Sequence, residues 1–315
     1  MAEAGDAAVA PLGAERRCFL VLAHTGREDS LRAAREAITG LLAAGAVPVL
    51  TAEDVPSVLA GATFDAPVLT LGADVPLSDI ELGIVLGGDG TILRAAEVVR
   101  DTDIPIIGVN LGHVGFLAEA EREDLGEVVR RAIAVDYEVE ERMTIDVVVL
   151  DAEDRVVYRT WALNEATVEK VAPGKMVEVV IEVGGRPLSS FGCDGVVMAT
   201  PTGSTAYAFS AGGPVVWPNI DAMLLVPLSA HALFARPLVV APSSILAVEI
   251  LQTTASAGVL WCDGRRSTPL GRGARVEVTR SSVPVRLARL SRGQFTDRLV
   301  HKFDLPVSGW RGSGR

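Results

Sequence analysis

Cysteine is scarce in this chain of 315 residues, and its few copies lie far apart. The three cysteines, Cys18, Cys193 and Cys262, show no CxxC spacing. This pattern gives neither a disulfide framework nor a cysteine-based zinc site. We therefore expect incidental thiols in a reducing, cytoplasmic environment.

The chain also lacks an excess of positive charge and any long uninterrupted apolar run. Its formal net charge of -11 argues against a general nucleic-acid binder, which needs a basic face. Residues 1–17 are acidic and alanine-rich, without the apolar core of a signal peptide, and are predicted to form a flexible tail. Prolines and charges interrupt the most apolar segment, 214–240, whereas a membrane span needs about 20 apolar residues. We expect neither a nucleic acid nor a membrane as a partner.

Two common catalytic motifs are absent as well. No GxxxxGK[ST] sequence is present, so donor phosphates are not expected to bind in a P-loop. No GxSxG sequence is present either, which argues against the nucleophile elbow of a serine hydrolase.

The first half of the chain alternates strand-like and helix-like patterns. Short apolar runs predict buried strands at 18–23, 47–50, 82–86 and 104–109, and helical spacing predicts a helix at 30–44. Strands that read as continuous apolar runs between helices indicate a parallel sheet covered on both faces. Residues 18–141 are therefore predicted to form an α/β nucleotide-binding domain.

The pattern changes near residue 141 to strands separated mostly by turn residues. These strands are predicted at 145–150, 156–163, 176–183, 195–199, 246–251, 275–279 and 285–290. They predict a mostly antiparallel, sandwich-like β domain over residues 142–292. Residues 293–315 are predicted to pack back on the first domain. Two domains also suggest a cleft between them as the ligand site.

The strongest local motif is the run GGDGT at residues 87–91, which follows an apolar strand and opens a helix pattern. Glycines let a ligand approach the main-chain N–H groups, and the start of a helix favours phosphate. Asp89 then lies within a phosphate-binding loop, where its negative charge would repel the phosphate. It is therefore expected to take a proton, hold a metal ion or bind a hydroxyl. The alternative is a plain glycine turn in which the aspartate caps the helix.

Two further motifs lie in the second half of the chain. The hydroxyl-rich run 200–207, TPTGSTAY, could read a base edge and a ribose, or its hydroxyls could simply cap a helix. Asn164 and Glu165 end a strand pattern, and this pair is suited to binding a cis-diol or an adenine amino group. On its own, however, the dipeptide is explained by a plain turn.

Together with Asp194-Gly195, these motifs closely resemble the NAD kinase family. The resemblance runs from about Phe19 to Phe303 and includes GGDGT, GVNLGHVGFLAE at 108–119, LNE, and DGVVMATPTGSTAYAFSAGG at 194–213. The PTGSTAY run is the most specific of these, because diacylglycerol-kinase-like lipid kinases also carry GGDGT. The resemblance implies a Rossmann-like first domain, a β-rich second domain and an oligomer of two or four subunits.

The resemblance implies phosphorylation of the adenosine-ribose 2′-hydroxyl of NAD by ATP or polyphosphate. Asp89 is the predicted catalytic base, and Mg²⁺, with ligands that the sequence does not identify, is expected to bridge donor oxygens. The predicted donor-phosphate ligands are Gly87, Thr91 and Arg27. The predicted substrate ligands are Gly88, Gly90, Arg94, Phe116, Asn164, Glu165, Lys175, Asp194, Thr205, Ala206, Tyr207, Ala208, Phe209 and Ser210.

Two other functions stay open on the sequence alone. One is a lipid kinase of the diacylglycerol type, and the other is a catalytically inert NAD(P)-sensing regulator. PTGSTAY with the preceding Asn164-Glu165 favours a dinucleotide over a lipid, and an intact Asp89 favours an enzyme over an inert sensor.

Overall fold

The structure is a computed structural model that describes residues 16–112, 115–290 and 295–307. The predicted tail 1–17 therefore lies almost wholly outside the described residues, as does part of the predicted segment 293–315. The chain divides into two compact units. The first (unit 1) ends at Glu141 and resumes at Arg286, and the second (unit 2) comprises Arg142–Val285.

Six α-helices occur in the described residues, and none of them is long and apolar enough to cross a membrane. They are α1 Glu28–Ala43, α2 Val55–Val58, α3 Asp89–Val98, α4 Leu125–Ala134, α5 Tyr207–Ser210 and α6 Phe295–Phe303. Short 3₁₀ helices occupy Leu77–Asp79, Arg122–Asp124 and Thr202–Thr205.

The described residues contain twenty strands, numbered in chain order. They are β1 Cys18–Ala23, β2 Val47–Leu50, β3 Leu69–Thr70, β4 Ile80–Leu86, β5 Ile106–Asn110, β6 Ala120–Glu121, β7 Glu138–Arg142, β8 Ile145–Leu150, β9 Val156–Ala162, β10 Glu165–Lys170, β11 Val177–Val183, β12 Arg186–Cys193, β13 Gly195–Ala199, β14 Met223–Leu228, β15 Leu238–Val240, β16 Leu246–Ile250, β17 Gly258–Cys262, β18 Arg266–Leu270, β19 Arg275–Arg280 and β20 Val285–Arg289.

Unit 1 is built on one sheet whose strand order is β3-β2-β1-β4-β5-β20-β7, with β6 paired to β5. Strands β1 to β6 and β20 pair in parallel. All six residues of β1 are buried, as expected for a central strand covered on both faces. The predicted α/β class is confirmed, and the order 3-2-1-4-5 is that of a Rossmann-like sheet.

Unit 2 contains two antiparallel sheets of six strands each, in the orders β15-β14-β13-β10-β17-β18 and β12-β11-β16-β19-β8-β9. Alternate residues of β8, namely Ile145, Val147 and Val149, are buried, while the intervening ones are half-buried. They share one apolar core with residues of the other sheet, such as Val196 and Leu260. The predicted β-rich, layered second domain is confirmed.

One predicted strand of the β half lies in the other unit. Strand β20 pairs in parallel with β5, Leu287 facing Ile106, and so belongs to the sheet of unit 1. The second unit therefore ends at Val285 in the structure, whereas the sequence pattern placed its end at residue 292. A short apolar run shows that a strand is buried but carries no signal of the sheet it joins.

Candidate active site

The GGDGT run forms the connection between strand β4 and helix α3 of unit 1. Gly87 has φ 156°, and a Cβ there would overlap the Thr91 side-chain oxygen, so both features require glycine. Gly88 precedes the helix with extended backbone, and its carbonyl accepts the Thr91 N–H at 2.9 Å. Gly90 is exposed, whereas Thr91 is 6% exposed.

This loop lies where the strand order of the sheet reverses. Strands β1 and β4 are neighbours, and the residues at their carboxyl ends, Ala23 and Leu86, face each other. The loop after β1 is therefore adjacent, since the N–H of His24 donates to the Leu86 carbonyl at 3.1 Å. Open α/β sheets bind ligands at such a reversal, outside the carboxyl ends of the strands. Arg27 is exposed at the end of the β1 loop.

The Asp89 carboxylate is held by main-chain N–H groups from a distant segment of unit 1. Its Oδ2 accepts the N–H of Phe116 and its Oδ1 the N–H of Leu117, each at 3.1 Å. A Cβ on Gly115 would overlap Oδ1 and lie 3.0 Å from Cγ, so the carboxylate packs directly on that glycine. Asp89 as a whole is only half-buried.

Arg94 and Phe116, two of the predicted substrate ligands, make contacts within unit 1. The Arg94 guanidinium binds both oxygens of the fully buried Asp54, at 2.7 and 2.8 Å, and the Ala23 carbonyl at 2.7 Å. The Phe116 ring packs on the rings of Phe295 and Phe303 at centroid distances of 6.0 and 5.8 Å. These contacts give both residues a structural role, and their part in substrate binding stays a prediction.

In unit 2, a buried aspartate holds the Asn164–Glu165 motif. The Asp263 carboxylate accepts the N–H groups of Leu163 at 3.0 Å, Asn164 at 2.7 Å and Glu165 at 3.3 Å. It also pairs with Arg266 at 2.7 Å. In the sequence, Asp263 is followed by Gly264, a pair typical of turns, and it does adopt a turn conformation with φ 54°. Its hydrogen bonds to Leu163–Glu165, about 100 residues earlier, could not be predicted from the local sequence.

Glu165 is buried beside this aspartate and has an unusual acidity. Burial, together with the nearby Asp263 carboxylate, raises the pKa of Glu165 from 4.5 to about 8, partly offset by the N–H of Tyr207, which donates to it at 3.3 Å. Burial also raises the pKa of Asp263, against the opposing effect of its N–H donors and of Arg266. Such perturbed carboxyl groups are typical of functional sites.

Several hydroxyls of the run 200–207 are used inside the protein. The Thr200 hydroxyl donates to the Leu163 carbonyl at 2.6 Å, and the Ser204 hydroxyl is bound to both the N–H and the carbonyl of Val216. The Thr205 hydroxyl donates to the Thr202 carbonyl at 3.2 Å. Main-chain bonding thus accounts for much of this run, more than the sequence pattern suggested.

The other predicted ligands of unit 2 differ in their exposure. Tyr207 and Phe209 are each 39% exposed and Ser210 is exposed, whereas Ala208 is fully buried. Thr205 and Ala206 are half-buried.

Asp194 and Lys175, two more of the predicted substrate ligands, lie on the surface of unit 2. Asp194 pairs with Lys170 at 2.5 Å, and hydrogen bonds from Lys170 and Ser229 lower the pKa of Asp194. Lys175 is exposed. Their roles stay predictions.

The strand order and the glycine loop of unit 1 define a nucleotide-binding α/β protein. Comparison with known families narrows this class. Residues 163–290 match the family model described as the ATP-NAD kinase C-terminal domain, and residues 69–137 match that of the ATP-NAD kinase N-terminal domain.

Individual relatives agree with these matches. The chain is 64% identical over 299 residues to an NAD kinase of Leifsonia xyli subsp. xyli, covering 95% of this chain and 98% of the relative. It is 58% identical over 301 residues to an NAD kinase of Thermobifida fusca, covering 94% and 92%. The chain therefore belongs to the NAD kinase family.

Two solved structures are similar in fold. Yeast NADH kinase complexed with NADH matches with a TM-score of 0.82 at 22% identity, over 93% of this chain and 89% of that one. An NAD kinase from Archaeoglobus fulgidus in complex with ATP matches with a TM-score of 0.66 at 26% identity, over 91% and 98%.

Proposed function

We propose that this protein transfers a phosphoryl group from ATP or polyphosphate to the adenosine-ribose 2′-hydroxyl of NAD, giving NADP. Membership in the NAD kinase family supports this activity over the lipid kinase and the inert regulator. The observation that carries the mechanism is the half-buried Asp89, whose carboxylate is fixed by two amide donors at the strand-order reversal of unit 1.

Phosphoryl transfer depends mainly on positioning and charge neutralisation. The ribose hydroxyl is a weak acid, so its oxygen attacks phosphorus most readily when a base takes its proton. Asp89 takes that proton as the new O–P bond forms and the bond to the leaving donor oxygen breaks. The amides of Phe116 and Leu117 keep the carboxylate oriented throughout.

The two ends of the reaction are assigned to different parts of the chain. The donor phosphates are assigned to the Gly87–Thr91 loop and to Arg27, which lie on adjacent loops of unit 1. The N–H groups of Gly87 and Thr91 already donate to the carbonyls of Val109 and Gly88, so the phosphate contacts fall to the amides between them. Asn164 and Glu165 hold the adenosine and its ribose. The segment from Thr205 to Ser210 lines the rings of NAD, with Tyr207 and Phe209 the most exposed apolar side chains there.

A divalent cation, Mg²⁺, is part of this proposal. Among the described residues, no group of three or more His, Cys, Asp or Glu is placed to hold a metal. Mg²⁺ usually needs only one or two carboxylates together with substrate phosphates. The residues present therefore fit an ion that enters with the donor. When bound, the ion neutralises charge on the donor oxygens. We further propose a cytoplasmic homodimer or homotetramer.

The test is a turnover assay with the purified protein, Mg²⁺, ATP and either NAD, diacylglycerol or sphingosine. NADP should form, and neither lipid should be phosphorylated. Asp89→Asn should keep the fold and most NAD binding but lose turnover by about 100-fold or more, since a general base contributes at least that much. Lipid phosphorylation without NADP formation would reject the proposal, and near-normal turnover by Asp89→Asn would reject the assigned base.

A further inference from the structure

One peptide group of unit 1 is bound at both ends by charged side chains. In the peptide between Phe116 and Leu117, the N–H donates to Asp89 Oδ1 at 3.1 Å. The carbonyl oxygen of the same peptide accepts a hydrogen bond from Arg298 Nη1 at 3.0 Å. A guanidinium and a carboxylate therefore face each other across a single peptide group.

Arg298 comes from the C-terminal helix α6, which is anchored on the same segment. Its Nη2 pairs at 2.8 Å with Glu119, whose side chain is only 1% exposed. On either side of Arg298 in sequence, Phe295 and Phe303 pack on the Phe116 ring. The helix thus binds both the ring and the carbonyl of the residue that follows Gly115.

A second arginine, Arg289, binds the carbonyl of the following residue, Leu117, in the same way. Arg289 Nη1 donates to the Leu117 carbonyl at 3.2 Å and pairs with Glu119 at 3.0 Å. Burial and the nearby Arg289 lower the pKa of Arg298, and Glu119 opposes that effect. Glu119 is therefore the shared counter-charge that lets two guanidinium groups sit together behind the segment that binds Asp89.

We propose that Arg298 is a positioning residue for the reaction, acting on Asp89 through the peptide group between Phe116 and Leu117. This inference rests on the role of Asp89 proposed above. It makes helix α6, at the far end of the chain, part of the apparatus that orients the base.

The physical reason is the rigidity and polarity of a peptide group. Because the group is planar, fixing its carbonyl oxygen also fixes the direction of its N–H. A cation at the oxygen polarises the group, which strengthens the hydrogen bond that its N–H donates to an anion. Without Arg298, the peptide group between Phe116 and Leu117 loses the contact that orients the N–H of Leu117 toward Asp89.

The first experiment measures NADP formation by Arg298→Met, Arg298→Lys and a control, Arg130→Met. The exposed Arg130 pairs on the surface of helix α4 with Glu127, three residues earlier, so its loss should leave kcat unchanged. Arg298→Met should lower kcat by about 10-fold, the size expected for a lost hydrogen bond from a charged group. The KM for NAD should change by less than about twofold, because the lost contact acts on the base while the Phe116 ring stays packed on Phe295 and Phe303.

Arg298→Lys keeps the charge but cannot bind the Phe116 carbonyl and Glu119 together as a planar guanidinium does. The kcat of Arg298→Lys should therefore lie between those of the unmodified protein and Arg298→Met. If Arg298→Met does not melt cooperatively, Arg298→Lys alone is compared with the unmodified protein. Unchanged kcat in a folded Arg298 variant would overturn the positioning role, as would a loss confined to KM.

A double substitution separates positioning from general loss of structure. In an Asp89→Asn background, Arg298→Met should lower the remaining turnover by less than about twofold, because residues that act as a unit are not additive. The same loss in both backgrounds would overturn the inference. Failure of the unmodified protein to make NADP would instead reject the proposed function, so the two failures are distinguishable.

Discussion

Glu165 should make the stability of this protein fall as the pH rises, and Glu165→Gln should remove that effect. The side chain is 7% exposed, and burial beside Asp263 raises its pKa from 4.5 to about 8. The folded state therefore binds more protons at this site than the unfolded state does between those pH values. By linkage, the free energy of unfolding decreases with pH across that window.

The size of the effect follows from the two pKa values. Well below pH 4.5 the carboxyl is protonated in both the folded and the unfolded state, and its burial does not reduce the free energy of unfolding through ionisation. At pH 5 the cost is about 1 kcal/mol, and at pH 9, where both states are ionised, it approaches about 5 kcal/mol, since one pKa unit corresponds to about 1.36 kcal/mol. A neutral glutamine of the same shape does not titrate. The stability advantage of Glu165→Gln should therefore grow by about 4 kcal/mol from pH 5 to pH 9.

The assay is urea unfolding of both proteins at pH 5, 6, 7, 8 and 9, followed by circular dichroism. Only the change in the difference between the proteins matters, because every other titrating group is common to both. Glu178→Gln, an exposed carboxylate on strand β11, serves as the control and should give a nearly constant difference. A Glu165→Gln difference that stays constant across this range would refute the assignment of Glu165 as a buried acid.

Two other substitutions test how the Asn164–Glu165 motif is held. A Cβ at Gly203 would overlap the Asn164 carbonyl oxygen and lie 2.5 Å from its carbonyl carbon, so Gly203→Ala should destabilise unit 2 by about 2 kcal/mol or more. Gly271 has open space around it, so Gly271→Ala is the control and should leave stability unchanged. Equal melting temperatures for the two variants would contradict this prediction. Asp263→Asn removes the carboxylate that pairs with Arg266 and accepts the N–H groups of Leu163–Glu165, and it should cost about 3–5 kcal/mol in urea unfolding. A loss below about 1 kcal/mol would show that this clamp contributes little.

The parallel sheet of unit 1 could be predicted closely because its strands are continuous apolar runs. The predicted strands at 18–23 and 47–50 coincide with β1 and β2. Several strands of unit 2 were not predicted. Strand β12, Arg186–Cys193, is largely exposed or half-buried and has no apolar alternation over most of its length. Its place depends on pairing with β11, which local sequence does not specify.

The same division applies to the candidate site. Asp89 could be predicted because its setting is local: a strand, a glycine turn and a helix start lie within a few residues. The partners of Asp89 and of Glu165 could not. Phe116 and Asp263 reach them only through contacts between residues 27 and 98 positions apart, and Arg298 lies still further along the chain. Those contacts are products of the tertiary fold and leave no periodicity or spacing in the sequence.

The raised pKa of Glu165 also bears on how it would hold a ribose. With a pKa of about 8, Glu165 is mainly protonated at neutral pH. A neutral carboxyl can donate one hydrogen bond and accept another, so it can pair with a neutral diol without burying a charge. We therefore expect the KM for NAD to stay level from pH 6 to 7.5 and to rise as Glu165 ionises above pH 8.

Glu165→Gln provides the matched comparison for this expectation. Glutamine also offers a donor and an acceptor but does not titrate, so its KM should stay level over the same pH range. Initial rates of NADP formation at saturating ATP, measured from pH 6 to 9.5 for both proteins, provide the comparison. If the group instead bound the ribose as an anion, the KM of the unmodified protein would fall as the pH rises toward 8. That result would show that ligand binding, and not the buried site alone, determines the charge of Glu165.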